Sequence, residues 1–150
     1  MNGISIKEVT RDNIQALKHF ILQAWREAGP DALGWTGATD EQISELTSDV
    51  FLTSLINRSD VTIFLALTNN KVVGFASNTK VNQSLVELSG IIVLENMRGQ
   101  GIGTLLLQSA IRSARKQGYN DMTVKTELTN DRAIQFYHKK HFKINKKTNI

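Results

Sequence analysis

The feature that most limits the fold is a change of hydrophobic period in the middle of the chain. Three segments, VTIFLAL (61–67), KVVGFASNTKV (71–81) and SLVELSGIIVL (84–94), follow one another with only TNN and NQ between them. Each has strand length and is rich in β-branched and aliphatic residues. The turn-rich TNN break reads as a β-hairpin, and breaks this short leave antiparallel pairing as the outcome. Around this meander the period is different. ISIKEV (4–9) alternates as a half-buried strand, and Asp12 can cap a helix with apolar positions Ile14, Leu17, Phe20, Ile21, Ala24 and Trp25, where Trp25 is expected in the core. Thr39 or Asp40 can cap a second helix carrying Ile43, Leu46, Val50, Phe51, Leu55 and Ile56. Downstream, residues 104–116 have helical spacing and close at Gly118, MTVKTEL (122–128) reads as a strand, 130–140 as a helix and FKINKKTNI as a last strand. The predicted order is β-α-α-β-β-β-α-β-α-β, a mixed α/β domain with a mostly antiparallel central sheet flanked by four helices.

At 150 residues the chain matches one domain, 1–150. Its 41% hydrophobic and 21% charged residues with a single proline are those of a folded globular protein. No apolar run approaches the ~20 residues of a membrane span, and the amino terminus lacks the character of a signal peptide, so a cytoplasmic protein with no membrane partner is expected. Cysteine is absent, which excludes disulfides, thiolate metal sites and a cysteine nucleophile. Charge is divided unevenly: residues 1–97 carry seven Lys or Arg against eleven Asp or Glu, and residues 98–150 carry eleven against three. A basic half points to a phosphate-bearing partner, nucleic acid or a phosphorylated cofactor, or else to an uneven solvated surface.

MRGQGIGT (97–104) joins the third strand of the meander to the following helix. A helix N-terminus presents unpaired N–H groups and the positive end of the helix dipole. Glycine at Gly99, Gly101 and Gly103 keeps Cβ atoms out of the way of an anion, and Arg98 can add a charge-assisted contact. A tight strand-to-helix turn would also use one or two glycines, but three in alternation after an arginine favour an anion site. A P-loop requires a Gly-Lys pair that this chain lacks. In a G-x-G-x-x-G count from Gly99 or Gly101 the last glycine falls on Thr104 or Leu106, which leaves the dinucleotide fingerprint a weak rival.

RGQGIG (98–103) resembles the Q/R-x-x-G-x-G/A loop of the GNAT-type N-acetyltransferases, and NDRAIQFYHKKHF (130–142) is similar to that family's N-x-x-A-x-x-F-Y-x-x-x-G-F segment. The order of elements resembles theirs over nearly the whole chain. The resemblance implies an acetyl-CoA-dependent N-acyltransferase in which Arg98, Gly99, Gln100, Gly101, Ile102, Gly103 and Thr104 hold the pyrophosphate. It further implies that Asn130 bonds the pantetheine arm, that Ala133 and Phe136 pack along it, and that Tyr137 protonates the departing thiolate. Spacing alone puts Asn130, Ala133 and Tyr137 on one helical face. Phe136 as plain core and Tyr137 as an interfacial tyrosine with its hydroxyl in water remain alternatives. Backbone amides near Val93 and Leu94, where this strand splays from its neighbour in the family, would hold the pantetheine and the thioester oxygen.

An amine must lose a proton before it attacks a thioester, so a general base is useful. Glu87 and Glu127 are the candidates, and alternation along the strand sets Glu87 with Ser89, Ile91 and Val93; a lysine-paired surface glutamate is the other reading of Glu87. Without cysteine, transfer is expected to be direct. Trp35, in GPDALGWTGATD (29–40), is a candidate acceptor-pocket wall or a lid anchor, and Glu127 a second candidate acceptor contact. His138 and His141 lie three apart on one helix without a carboxylate at ligand spacing, so no metal is expected. The acidic first half suggests a small cationic amine or a protein amino group as acceptor. His141 stands where the family has glycine, and the chain has room for one closing strand instead of two, so a homodimer covering the open edge is an expectation. A non-catalytic acyl-CoA sensor is the rival function. Nucleic-acid binding by KKHFKINKK ranks below both, since the segment has one aromatic residue on which a base could stack.

Overall fold

The computed structural model describes residues 3–28, 39–124, 131–140 and 142. Its elements are β1 (Ser5–Glu8), α1 (Ile14–Ala28), α2 (Asp40–Leu46), α3 (Asp49–Ile56), β2 (Val61–Thr68), β3 (Lys71–Lys80), β4 (Leu85–Val93), α4 (Ile102–Lys116), β5 (Asp121–Val124) and α5 (Asp131–Lys139). The sheet runs β1-β2-β3-β4-β5, antiparallel at every junction except the parallel β4–β5 pair on either side of α4. The meander forms as its short breaks require. Asn69 and Asn70 close the first hairpin at φ 51° and 64°, the left-handed conformation that a two-residue turn needs and that asparagine tolerates. At the second break Asn82 Oδ1 accepts the N–H groups of Ser84 and Leu85.

The single helix expected after Thr39 is two helices, so the domain has five α-helices among the described residues and not four. Thr47 turns its hydroxyl back to the Ile43 carbonyl at 2.8 Å, and the Ser48 hydroxyl accepts the Phe51 N–H at 3.2 Å, starting a new helix. The break takes Leu46 and Val50 out of the buried stripe: they are 44% and 79% exposed. Capping chemistry overrides a continuous apolar spacing here. The closing strand predicted from FKINKKTNI begins at Phe142, which is not in a strand, and the rest of it lies outside the described residues.

Two layers of helix cover the sheet. On one face α1 buries Leu17, Phe20 and Ala24, and the Phe20 ring stacks on Phe75 of β3 at 6.4 Å. Trp25 is half-buried at the edge of this layer, not in the core. The Lys18 ammonium ties α1 to α3 through Asp49 at 2.6 Å and holds that carboxyl below its usual range. On the other face α4 buries Ile102, Leu106, Leu107, Ala110 and Ala114. Its approach is close because Gly74 lies beneath it; a Cβ there would meet Leu106 Cδ1 at 3.0 Å and Ile102 Cγ2 at 3.1 Å. Buried Asn78 donates its amide to the Ala110 carbonyl at 3.0 Å, fixing α4 along its length.

Candidate functional site

The site is built on an irregularity in β4. Ala76 faces Ile91 and Asn78 faces Leu88, so two residue steps on β3 are matched by three on β4. The extra residue falls at Ser89–Gly90, with Gly90 at φ 112°. Because cross-strand partners share a face, the bulge exchanges the faces of everything after it. Glu87 and Ser89 therefore lie with Ile92, Phe75, Ser77 and Thr79 on the α1 face, whereas Ile91 and Val93 lie with Leu88 on the α4 face. The strict alternation that grouped Glu87 with Ile91 and Val93 is broken by one glycine, and a lone glycine inside a strand pattern is the signal that marks such a bulge.

The bulge coincides with a change of pairing. The β4–β5 register ends at Leu88 and Val124, so among the described residues β4 has no partner on that side from Ser89 to Val93. Leu94 donates its N–H to the Val73 carbonyl at 3.0 Å, which commits that amide to the sheet and takes it out of the pair expected to hold pantetheine. Successive amides of a strand point to opposite sides. The N–H groups of Val93 and Ile91 consequently point to the open side.

After β4 the chain makes a 3₁₀ turn, Glu95–Met97, whose first N–H, that of Glu95, is taken by the Glu27 carboxylate at 3.2 Å. This contact, from the last turn of α1, has no signal in the sequence. Exposed Arg98 folds back so that Nε donates to the Val93 carbonyl at 3.3 Å. Gly99 at φ 80° and Gly101 at φ 82° are both left-handed, and a Cβ on either would meet nothing within 4 Å. The backbone thus requires glycine at both positions while the space before them stays open. Gly103 is different: its Cβ would touch Phe136 Cζ at 3.6 Å and Ile91 Cγ2 at 3.9 Å, so this glycine sets the approach of α5 to α4. The first turn of α4, which includes Gly103 and Thr104, carries no acidic residue, and Gly101 places no side chain on its N–H groups. These residues fit a pyrophosphate: open amides, a positive dipole end and no competing carboxylate.

On α5, Phe136 is half-buried beneath Gly103, and its ring packs edge-on against Tyr137 at 5.2 Å. Lys140 Nζ stands 5.9 Å over the Phe136 ring. Tyr137 is 7% exposed and packs against Phe142 on its other side at 5.6 Å, so it is not the interfacial tyrosine of the alternative reading. Burial pushes its phenol up to about 12, while a backbone hydrogen bond from Ile91 acts in the opposite direction. That bond brings the Tyr137 hydroxyl to the open side of β4, beside the bulge. A group whose proton is held more tightly in the fold than in the unfolded chain stabilises the fold fully below pH 10, and that contribution disappears as pH rises from 10 to 12. Denaturant titrations at pH 9 and pH 11.5 should therefore show wild type losing about 2 kcal/mol more than Tyr137→Phe. Equal losses would contradict the buried phenol.

Ala133 is half-buried on α5, and Glu87 is half-buried on β4 opposite Thr79 and Thr123. Gln100 is exposed, and Ile102, the first residue of α4, is buried against the sheet over Gly74. Trp35, Glu127, Asn130 and His141 lie outside the described residues. His19 and His138 are exposed, and no cluster of metal-ligating side chains occurs among the described residues. A separate cleft of about 650 Å³ opens between α1, α2 and α3, lined by Leu22, Trp25, Ile43 and Asp40 among others, and shares no residue with β4 or α4.

An antiparallel meander whose last strand bulges and loses its outer partner, followed by a left-handed glycine turn onto a helix N-terminus, defines a class of mixed α/β domain in which an open strand leads to an unblocked helix N-terminus. The chain belongs to the acetyltransferase (GNAT) family, whose sequence profile matches residues 14–142. It is 33% identical over 90 residues to an uncharacterized N-acetyltransferase of Methanocaldococcus jannaschii, covering 55% of this chain and 39% of that protein. It is 31% identical over 106 residues to an N-alpha-acetyltransferase of Saccharolobus solfataricus, covering 62% and 63%. The match therefore spans less than two thirds of either relative. Among solved structures, the PaiA N-acetyltransferase of Thermoplasma acidophilum in complex with coenzyme A superposes with a TM-score of 0.79 at 21% identity over 97% of this chain and 92% of that one. An aminoglycoside acetyltransferase from an uncultured soil metagenomic sample, in complex with sisomicin, does so at 0.79 and 18% over 99% and 94%. Among the described residues no helix is long and apolar enough to cross a membrane.

Proposed function

We propose that the protein transfers the acetyl group of acetyl-CoA directly to a primary amine. The observation that carries this reading is the placement of two left-handed glycines and the α4 N-terminus beside the open side of β4, where Tyr137 meets Ile91. Bound acetyl-CoA would supply the acetyl group and a thiolate leaving group. The amides of residues 99–104 bind the pyrophosphate, with Arg98 free to swing from the Val93 carbonyl toward it. The Val93 N–H faces the pantetheine and thioester side. Tyr137 donates a hydrogen bond to the departing sulfur, and Glu87, on the opposite face, takes the proton of the acceptor nitrogen.

For the acceptor we infer a cationic amine, a small polyamine-like molecule or a protein amino group. The support is the excess of acidic residues over basic ones in residues 1–97, eleven against seven, which includes Glu87 within β4 and Glu27 and Glu95 at its exit. Both levels are tested by calorimetric titration of acetyl-CoA, then by CoA release with spermidine, an aminoglycoside, a peptide with a free amino terminus, phenethylamine and glutamate at low salt. Micromolar acetyl-CoA binding with release strongest for the multiply cationic amines is the expected result. Binding without release from any amine would replace transfer with a sensor role, and a preference for glutamate would overturn the acceptor class.

A further inference from the structure

The bulge in β4 sets two serines face to face. Ser77 of β3, 7% exposed, and exposed Ser89 of β4 bring their hydroxyls into direct contact, and Ser89 Oγ also donates to the Ser77 carbonyl at 3.1 Å. A hydroxyl has one proton and two lone pairs. With the Ser89 proton committed to the carbonyl, the proton shared between the hydroxyls comes from Ser77. Ser89 Oγ then has no proton left to donate, and because Ser89 is exposed its second lone pair is open to a donor from solvent or substrate. It lies on the face that carries Glu87 two residues away, and the adjacent Gly90 leaves open space where a side chain would stand.

We propose that Ser89 is a substrate-positioning residue that accepts one N–H of the acceptor amine and so aims the nitrogen lone pair at the thioester. This rests on the acetyl-transfer reading above. A neutral primary amine has two N–H groups and one lone pair. Ser89 Oγ and the Glu87 carboxylate, both acceptors on one face, take the two N–H groups, which leaves the lone pair to form the N–C bond. As the C–S bond breaks with its electron pair on sulfur, one amine proton passes to Glu87. An alcohol, with a single O–H, cannot satisfy both acceptors, so the pair of acceptors also selects nitrogen over oxygen.

The test compares Ser89→Ala with Ser77→Ala, using the best amine of the panel above. Both substitutions break the hydroxyl pair, and Ser89→Ala also removes the bond to the Ser77 carbonyl, so a role confined to holding the bulge would lower melting temperature and acetyl-CoA affinity together with kcat/KM. Only Ser89→Ala removes the open lone pair; Ser77→Ala leaves the Ser77 carbonyl and hence the orientation of Ser89. The expected result is a kcat/KM for the amine about 10- to 100-fold lower in Ser89→Ala, largely retained in Ser77→Ala and restored for the most part by Ser89→Thr, with acetyl-CoA affinity unchanged throughout. Equal losses in both alanine variants, or none in Ser89→Ala, would overturn the assignment while the enzyme remains an acetyltransferase. Acetyl-CoA binding by wild type without CoA release from any amine would remove the transfer reading and this proposal together.

Discussion

Acetyl-CoA titrated into Gly101→Glu should bind on the order of 100-fold or more weaker than to wild type, because a carboxylate within about 4 Å of a phosphate opposes it by several kcal/mol at the dielectric of a partly buried site. Position 101 suits this test because a Cβ there meets nothing within 4 Å, so the added side chain enters the space assigned to the pyrophosphate without disturbing the core. The left-handed φ of 82° adds backbone strain of about 1–2 kcal/mol for any residue with a Cβ. Gly101→Ala separates the two effects, since it carries the strain without the charge. A modest loss of melting temperature in both variants, with binding destroyed only in the glutamate variant, is the expected pattern. Equal affinity in Gly101→Glu and wild type would remove the glycine turn from the cofactor site.

Tyr137→Phe should lower kcat about 10- to 100-fold with acetyl-CoA affinity nearly unchanged, the effect of losing one hydrogen bond to a charged atom. The phenol, held near 12, is protonated throughout the physiological range. An ordinary thiol titrates near 8.5, so passing a proton outright from this phenol to a thiolate is uphill. In the reaction proposed above, Tyr137 is therefore assigned a hydrogen bond to the sulfur, where the family resemblance implies a full proton donor, and the pH profile distinguishes the two roles. The activity profile should accordingly show no limb from Tyr137 below pH 10. A limb between pH 7 and 10 that vanishes in Tyr137→Phe would restore the proton-donor role, and unchanged turnover would remove Tyr137 from the chemistry. The core contacts of Tyr137 with Phe136 and Phe142 involve only the ring, which phenylalanine keeps, so folding and chemistry are separable.

Much of the fold is legible in the amino-acid sequence. Short breaks dictated the antiparallel meander, and the glycines at 99 and 101 dictated an open helix N-terminus, because turn length and Cβ sterics are local properties, whereas the packing of Gly103 against α5 is not. The periodic stripes of α1 and α4 faced the sheet as their spacing required, with Leu17, Phe20, Leu106 and Ala110 buried. Local reading failed where a single residue changed the phase of what followed. Ser48 ended one helix and began another despite continuous apolar spacing, and Gly90 moved Ile91 and Val93 to the face opposite Glu87.

The sequence by itself determined the antiparallel meander, the helices α1 and α4 on either side of it and the open turn before α4, since each depends on residues adjacent in the chain. Only the tertiary structure decided which residues share the site. The pairing of Ser77 with Ser89, the Glu27 contact at the exit of β4 and the meeting of Tyr137 with Ile91 join residues 12, 68 and 46 positions apart. Such contacts depend on sheet register, bulge position and helix approach together, and these follow from packing the whole domain rather than from any one segment.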